Sequence, residues 1–531
     1  MNKPEPPVRP KRVLIIGGGP AGLVALRNLI ELGTFEKVEL VERRDDVGGV
    51  WYDPSKITSS VPRFPSPAYP GLIGNVLPEF LSYHGFPFPA PAEYKPNRKH
   101  QPFPTLTETY EYLQAFAKPF IADGRIRLGQ EVVRVEERPV TSTNDDENPT
   151  KDKWRVVLRD WADPTRPGKQ LEELWDAVVV CTGWYDNPSW PDTPGLDEVR
   201  EAGLAKHARG WRGPKGWEGK RTLIIGNANS ANDIAAQLAK YASTDSPVYR
   251  SIRRPNFAVF VSLPDERIED VPPVKQYTLY SVPSPNSEQP VRKVKVELEN
   301  GRVIADIDVV WVGTGYKPYA SFIHVLPPPF EDPELEFARS QGQTGVVQAN
   351  WMHRIPLLHR YLLFAPSPSL SFNLITMAFT SFLLADVGSC WIALAWSVKE
   401  AAASSDAKPK SEPEQTDRCQ HLGTTETTFC PTDTLISAWK NGINGHTPSA
   451  LNTYSGLGDF EEEYAIGLTN DVVDARPELG KPKSGSRTIA EYSPERTKKR
   501  EAMYAVKFAS LMWMREQGKG GNLDLGRGQE H

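Results

Sequence analysis

An α/β chain with two strand–turn–helix units is what three features of the sequence predict. A strand, a glycine-rich turn and a helix open the folded part at KRVLIIGGGPAGLVALRNLIELG. The same order returns at TLIIGNANSANDIAAQL, from Thr222 to Leu238. Two further apolar strands, LWDAVVVCTGWYDN and IDVVWVGTGYKPY, each end in Thr-Gly and an aromatic residue and bracket the second unit. At 531 residues the chain exceeds what one hydrophobic core supports, so more than one domain is expected.

The first turn has the fuller pattern. Val13 to Ile16 form the continuous apolar run of a strand buried on both faces. Gly17, Gly19 and Gly22 follow in GxGxxG spacing, with Pro20 and Ala21 opening the helix. The first glycine permits a tight turn, the second lets a pyrophosphate approach the backbone, and the third lets helix and strand pack closely. The helix N-terminus offers free N–H groups and a positive dipole end. The next strand, KVELVERR, ends at Glu42 and Arg43, with Glu42 twenty residues beyond Gly22. A carboxylate there accepts from both ribose hydroxyls and repels a 2′-phosphate, so FAD or NAD is preferred to NADP. Both units are thus read as Rossmann-type dinucleotide-binding domains.

In the second turn Gly226, Ala228 and Ala231 take the three glycine places, with Asn227, Asn229 and Ser230 around them. Alanine at the third place needs packing room only. At the second it sets a methyl where the pyrophosphate passes, which weakens a phosphate site without removing the helix terminus. The following strand, SPVYRSIRRP, ends in Ser251, Arg253 and Arg254. A hydroxyl and arginines hold a 2′-phosphate through charge-assisted bonds, so NADPH is the expected ligand.

Other function classes fall away. A net charge of -5 with no basic stripe argues against nucleic acid. The four cysteines, Cys181, Cys390, Cys419 and Cys430, form no CxxC pair and no zinc spacing, so no metal site is expected. Without a redox pair the chain is no disulfide reductase. Free thiols suit a reducing compartment, and the polar N-terminus is no secretory signal, so the expected location is cytoplasmic. The most apolar stretch, LITMAFTSFLLADVGSCWIALAW, carries Asp386 near its middle and reads as a core helix, not a transmembrane anchor. GRIRLGQEVVRVEERP and KWRVVLRD read as antiparallel strands joined by a charged insertion. The segment ASSDAKPKSEPEQTDRC reads as a mobile loop.

Three further motifs carry a resemblance. DDVGGVWYD, with Gly49, Val50 and Trp51, follows Glu42 at the distance of a loop that closes over FAD. Gly203, His207 and Trp211 fall on the pattern FxGxxxHxxx(F/Y), with Glu201 in place of the phenylalanine. YPGLIGNVLPEF places Asn75 in a turn with Gly74 where threonine is usual. Together these resemble the flavin-containing monooxygenase family. The resemblance implies a discontinuous FAD domain, residues 11–190 and 310–531 after a tail of 1–10, with an NADPH domain inserted at 191–309. It implies FAD contacts at Val132 as well as at the first turn, a linker role for His207, and a catalytic role for Asn75 beside the flavin. The activity implied is formation of a flavin C4a-hydroperoxide from O2 and transfer of one oxygen to nitrogen or sulfur of a small organic substrate. Trp211 keeps a Baeyer–Villiger or carbon-hydroxylating reaction open, although Arg212 after it departs from that branch. Ala228, Glu201 and Gly74 keep open a flavoprotein that has lost catalysis.

Overall fold

The computed structural model describes residues 9–53, 55, 62–89, 99–139, 151–254, 260–284, 287–317, 319–327, 333–347, 355, 357–374, 378–397, 461–480, 489 and 492–517. The segment 403–419, most of the charged connection after residue 139, and Cys419 and Cys430 lie outside them.

The first unit runs β1 (Arg12–Ile16), α1 (Pro20–Leu32), β2 (Lys37–Val41), α2 (Leu106–Ala122), β3 (Ile126–Arg127), then β4 (Gln130–Glu137), β5 (Trp154–Asp160), β6 (Lys169–Trp175) and β7 (Ala177–Val180). The antiparallel pairing of β4 with β5 agrees with the hairpin expected there. The second unit follows with α3 (Leu196–Glu201), β8 (Ala205–His207), β9 (Thr222–Ile225), α4 (Asn229–Leu238), β10 (Val248–Ser251), β11 (Ile268–Val271), β12 (Val274–Ser284), β13 (Ser287–Leu298), β14 (Val303–Ile307) and β15 (Val309–Val312). The chain then returns through β16 (Ile323–Val325), α5 (Pro333–Ser340), β17 (Gly345–Val346), β18 (Leu358–His359), β19 (Leu363–Phe364), β20 (Leu370–Phe372), α6 (Ser381–Trp396), α7 (Glu461–Ala475) and α8 (Pro494–Glu516).

Sheet order makes the splice visible. One sheet runs β18-β19-β20-β7-β1-β2-β3, so strands from before and after the second unit share it. A companion sheet, β17-β16-β4-β5-β6, is likewise built from both sides of the excursion. The second unit keeps its own sheet, β11-β10-β9-β15-β8, whose neighbours are all parallel, and a three-stranded β12-β13-β14 layer. The α/β architecture of two Rossmann-type units agrees with the expectation. One boundary is corrected: β15, expected to re-enter the first unit at residue 310, pairs instead with β9 and β8. The reason lies in the parallel sheet, which needs β15 between β9 and β8, so the chain can leave only after the Thr-Gly that ends the strand.

Alternation along β1 divides the first core. Val13 and Ile15 pack with α1, α2 and α6 on one face, and Leu14 and Ile16 pack with Trp154 and Trp175 of the companion sheet on the other. The apolar stretch forms α6 over 16 residues, and no helix among the described residues is long and apolar enough to cross a membrane. Its Asp386 is buried against Arg27 of α1, with two N–H···O contacts of 2.8 and 2.9 Å.

Candidate functional site

Each glycine turn is held by the same four devices. Gly17 and Gly226 have φ of 107° and 110°. A Cβ would fall 2.8 Å from Cys181 O at Gly17 and 2.7 Å from Gly313 O at Gly226. Both glycines are therefore required by conformation and by the close passage of the crossover strand. The N–H of Gly17 donates to Val41 O at 2.9 Å, and that of Gly226 donates to Ser251 O at 3.0 Å. Asp176 accepts from the N–H groups of Lys11 and Arg12 at the foot of β1, and Asp308 accepts from the N–H of Arg221 at the foot of β9.

Ala228 takes the place in the second turn that Gly19 takes in the first. It is the N-cap of α4 with φ -83° and ψ -179°, and Gly19 is the N-cap of α1 with φ -78° and ψ -176°. Neither conformation needs glycine. In both helices the N–H four residues on donates to the cap carbonyl at 3.0 Å. No side chain caps either helix, so both N-termini retain N–H groups for an anion. The third place differs in kind between the units. A Cβ at Gly22 would lie 1.9 Å from Gly17 O, whereas Ala231 is fully buried with its methyl against Gly313.

Around the first turn Glu42 is buried, and its carboxylate accepts from Gly18 N at 2.6 Å and from Arg44 N at 3.0 Å. Carboxylate oxygens have further lone pairs beyond these two bonds, so the group stays able to accept from a ribose. The loop with Gly49, Val50 and Trp51 lies on the turn: Gly48 N donates to Gly18 O at 2.9 Å, and a Cβ on Gly49 would stand 2.7 Å from Gly19 Cα. Pro20 O accepts from Tyr83 Oη, and Ala21 O from Asn373. Val132 is half-buried at the irregularity of β4.

Around the second turn the expected residues divide. Asn227 donates to Arg254 O at 2.8 Å, tying the turn to the basic strand end. Asn229 is half-buried, and Ser230 and Arg253 are exposed. Ser251 does not join them. It is buried, and its hydroxyl donates to Pro272 O at 3.0 Å, which uses its one donor on the backbone beside β11.

Between the units lie contacts that the sequence did not reveal. Asp186 takes Arg43 of the first unit and Arg209 of the second, the latter at 2.7 Å. Burial raises its pKa, but the two arginines outweigh this and hold the carboxyl below its usual range. His207 agrees with a linker role: its ring packs on Trp190 and Tyr316, one on each crossover, and its Nδ1 accepts from Arg209 N at 3.1 Å. Burial pushes its pKa down to about 4, so it is neutral near neutrality. Trp211 is 1% exposed and stands edge-on to Trp311, which makes it part of the second unit's core.

Asn75 is half-buried in the loop after β2's unit, strapped by Gly74 N to Pro104 O at 2.8 Å. A Cβ on Gly74 would lie 3.2 Å from that same oxygen, so a threonine here would press on the strap. Among the described residues no cluster of acidic, histidine or cysteine side chains is arranged to hold a metal. Cys181 and Cys390 are buried and form no disulfide.

The known proteins agree with this geometry. The family described as flavin-binding monooxygenase-like matches residues 10–257. Flavin-containing monooxygenase FMO GS-OX-like 7 of Arabidopsis thaliana is 30% identical over 396 residues, which is 73% of this chain and 74% of that protein. FMO GS-OX2 of the same plant is 28% identical over 396 residues, 73% and 74% of the two chains. Among solved structures, S-allyl-L-cysteine S-oxygenase from Allium sativum aligns with a TM-score of 0.59 at 20% identity, covering 97% of this chain and 95% of that one. Tmm from Pelagibacter aligns with a TM-score of 0.54 at 19% identity, covering 88% and 90%. With two uncapped dinucleotide turns on one chain and these relatives beside it, the chain belongs to the flavin-containing monooxygenase family, as an FAD- and NADPH-dependent oxidoreductase.

Proposed function

We propose that the first turn binds FAD and the second NADPH, and that the enzyme transfers one oxygen atom of O2 to nitrogen or sulfur of a small organic substrate. The observation that carries this reading is the repeated turn, alike in backbone to within a few degrees at Gly19 and Ala228 and open at both helix N-termini. Bound FAD supplies the activation of oxygen. The chain's own residues bind, orient and exclude water. Glu42 receives a ribose, and the loop of Gly49 to Trp51 covers the pyrophosphate. Arg253 takes the 2′-phosphate that Glu42 would repel in the first site. The Asn75 amide both donates and accepts, which suits it to orient the reacting groups. Trp211, the residue that keeps ketone oxygenation open, is buried edge-on to Trp311 in the second unit. Heteroatom oxidation needs no protein nucleophile, in keeping with Cys181 and Cys390, whose thiols are buried.

Rapid mixing tests the reading. Enzyme reduced anaerobically with NADPH is mixed with oxygenated buffer while the flavin spectrum is followed. A transient oxygenated flavin that persists with NADP+ and decays faster when an amine or sulfide is added supports it. Immediate return to oxidised flavin, with peroxide release that neither substrate class changes, overturns it.

A further inference from the structure

The last described helix, α8, lies far beyond the nucleotide motifs yet touches the loop that carries Asn75 at three successive turns. Lys499 pairs with Glu79 at 3.2 Å. Met503 Sδ accepts from Leu77 N at 3.3 Å. Lys507 Nζ donates to Gly74 O at 2.8 Å. The spacing of four places all three on one helix face, and the last two contacts fall on either side of Asn75. Beyond them, Arg515 donates to Pro264 O of the second unit at 2.7 Å.

Lys507 is the unusual member. It is 6% exposed, with its ammonium 4.7 Å from the centre of the Phe103 ring. A buried ammonium is costly unless its surroundings compensate. Here the compensation is the Gly74 carbonyl, an aromatic face and the field of Asp233 on α4, which itself accepts from Tyr69 Oη at 2.5 Å. A cavity of about 260 Å³ opens on the same ammonium between α4 and α8, walled by Ile73, Leu511 and Met514.

We propose that Lys507 is a positioning residue, which holds the turn of Asn75 in place by its bond to the Gly74 carbonyl and links that turn to the nucleotide helix of the second unit. Its catalytic consequence rests on the Asn75 assignment; the mechanical one does not. Burial draws the ammonium down to about 8, with Asp233 opposing the fall. Asp265, Lys240, Arg267 and Arg515 also line the cavity.

The test uses the full chain with FAD bound. Lys507→Met keeps the bulk and removes the charge and donor, and Lys507→Arg keeps both. Amide hydrogen exchange across residues 72–79 is expected to rise about tenfold in Lys507→Met, the size of one charge-assisted hydrogen bond. Lys507→Arg is expected to restore it, with peptides of β1 and α1 unchanged. Unchanged exchange at 72–79, or faster exchange throughout the chain, overturns the proposal. Peroxide released per NADPH gives the second arm. Asn75→Ala and Lys507→Met should each raise it, and the double variant should be no worse than Asn75→Ala. Additive increases in the double variant would show that Lys507 acts elsewhere and overturn its link to Asn75. If Asn75→Ala alone changes nothing, the Asn75 assignment fails, and the exchange measurement still decides whether Lys507 holds the turn.

Discussion

Ala228 shows how little one methyl changes when the backbone around it is already regular. Its φ and ψ lie within a few degrees of those at Gly19, so the substitution relieves and creates no strain. In the proposed function, charge selects the nucleotide at the second site instead. Arg253 is exposed at the end of β10, while the hydroxyl of Ser251 is committed to Pro272 O. Replacing Arg253 with alanine should weaken NADPH by about tenfold or more and leave NADH nearly unaffected, because only the former has the 2′-phosphate. Flavin reduction measured against the concentration of each nucleotide checks this, and equal losses would refute the assignment. Ser251→Ala should show no such selectivity.

At the scale of elements, α1 and α6 are joined by a buried ion pair. Asp386 accepts from Arg27 and Asn28 and from the N–H of His84 at 2.8 Å. The sequence displayed Asp386 as an interruption in an apolar run. It did not display the partner, which sits 359 residues away on the helix of the first glycine turn. Removing one partner strands a buried charge. Asp386→Ala should therefore cost about 3–5 kcal/mol, and the double variant Arg27→Met/Asp386→Leu markedly less. Urea denaturation of the three proteins measures this; a double variant as unstable as the single would show that shape, and not the stranded charge, sets the loss.

For the whole molecule, the crossovers decide how the two units meet. His207 wedges between Trp190 and Tyr316, and Asp186 binds an arginine from each unit. His207 has a folded pKa depressed to about 4 from 6.5. Above pH 6.5 the imidazole is neutral folded and unfolded, and its contribution is intact. As pH falls from 6.5 to about 4 the unfolded chain takes the proton first, so stability is lost, by at most about 3 kcal/mol. Comparing unfolding midpoints of wild type and His207→Gln through this window should give a shallower fall in the variant; parallel curves would remove His207 as the cause.

The sequence by itself determined the two dinucleotide units, their order and the core character of the apolar stretch, while the splice came from the family resemblance. Each of those rests on local chemistry: a glycine where the backbone must turn beside a passing strand, an apolar run where a strand is covered on both faces, a carboxylate just past a strand end. Tertiary structure alone decided which strand closes the second sheet, where the Ser251 hydroxyl points and that Trp211 is core. It also decided that Arg27, Asp186 and Lys507 have work between elements. These depend on partners tens to hundreds of residues away, and no periodicity or spacing along the chain encodes a contact of that range. α8 is the clearest case, because only packing brings Met503 and Lys507 to either side of Asn75.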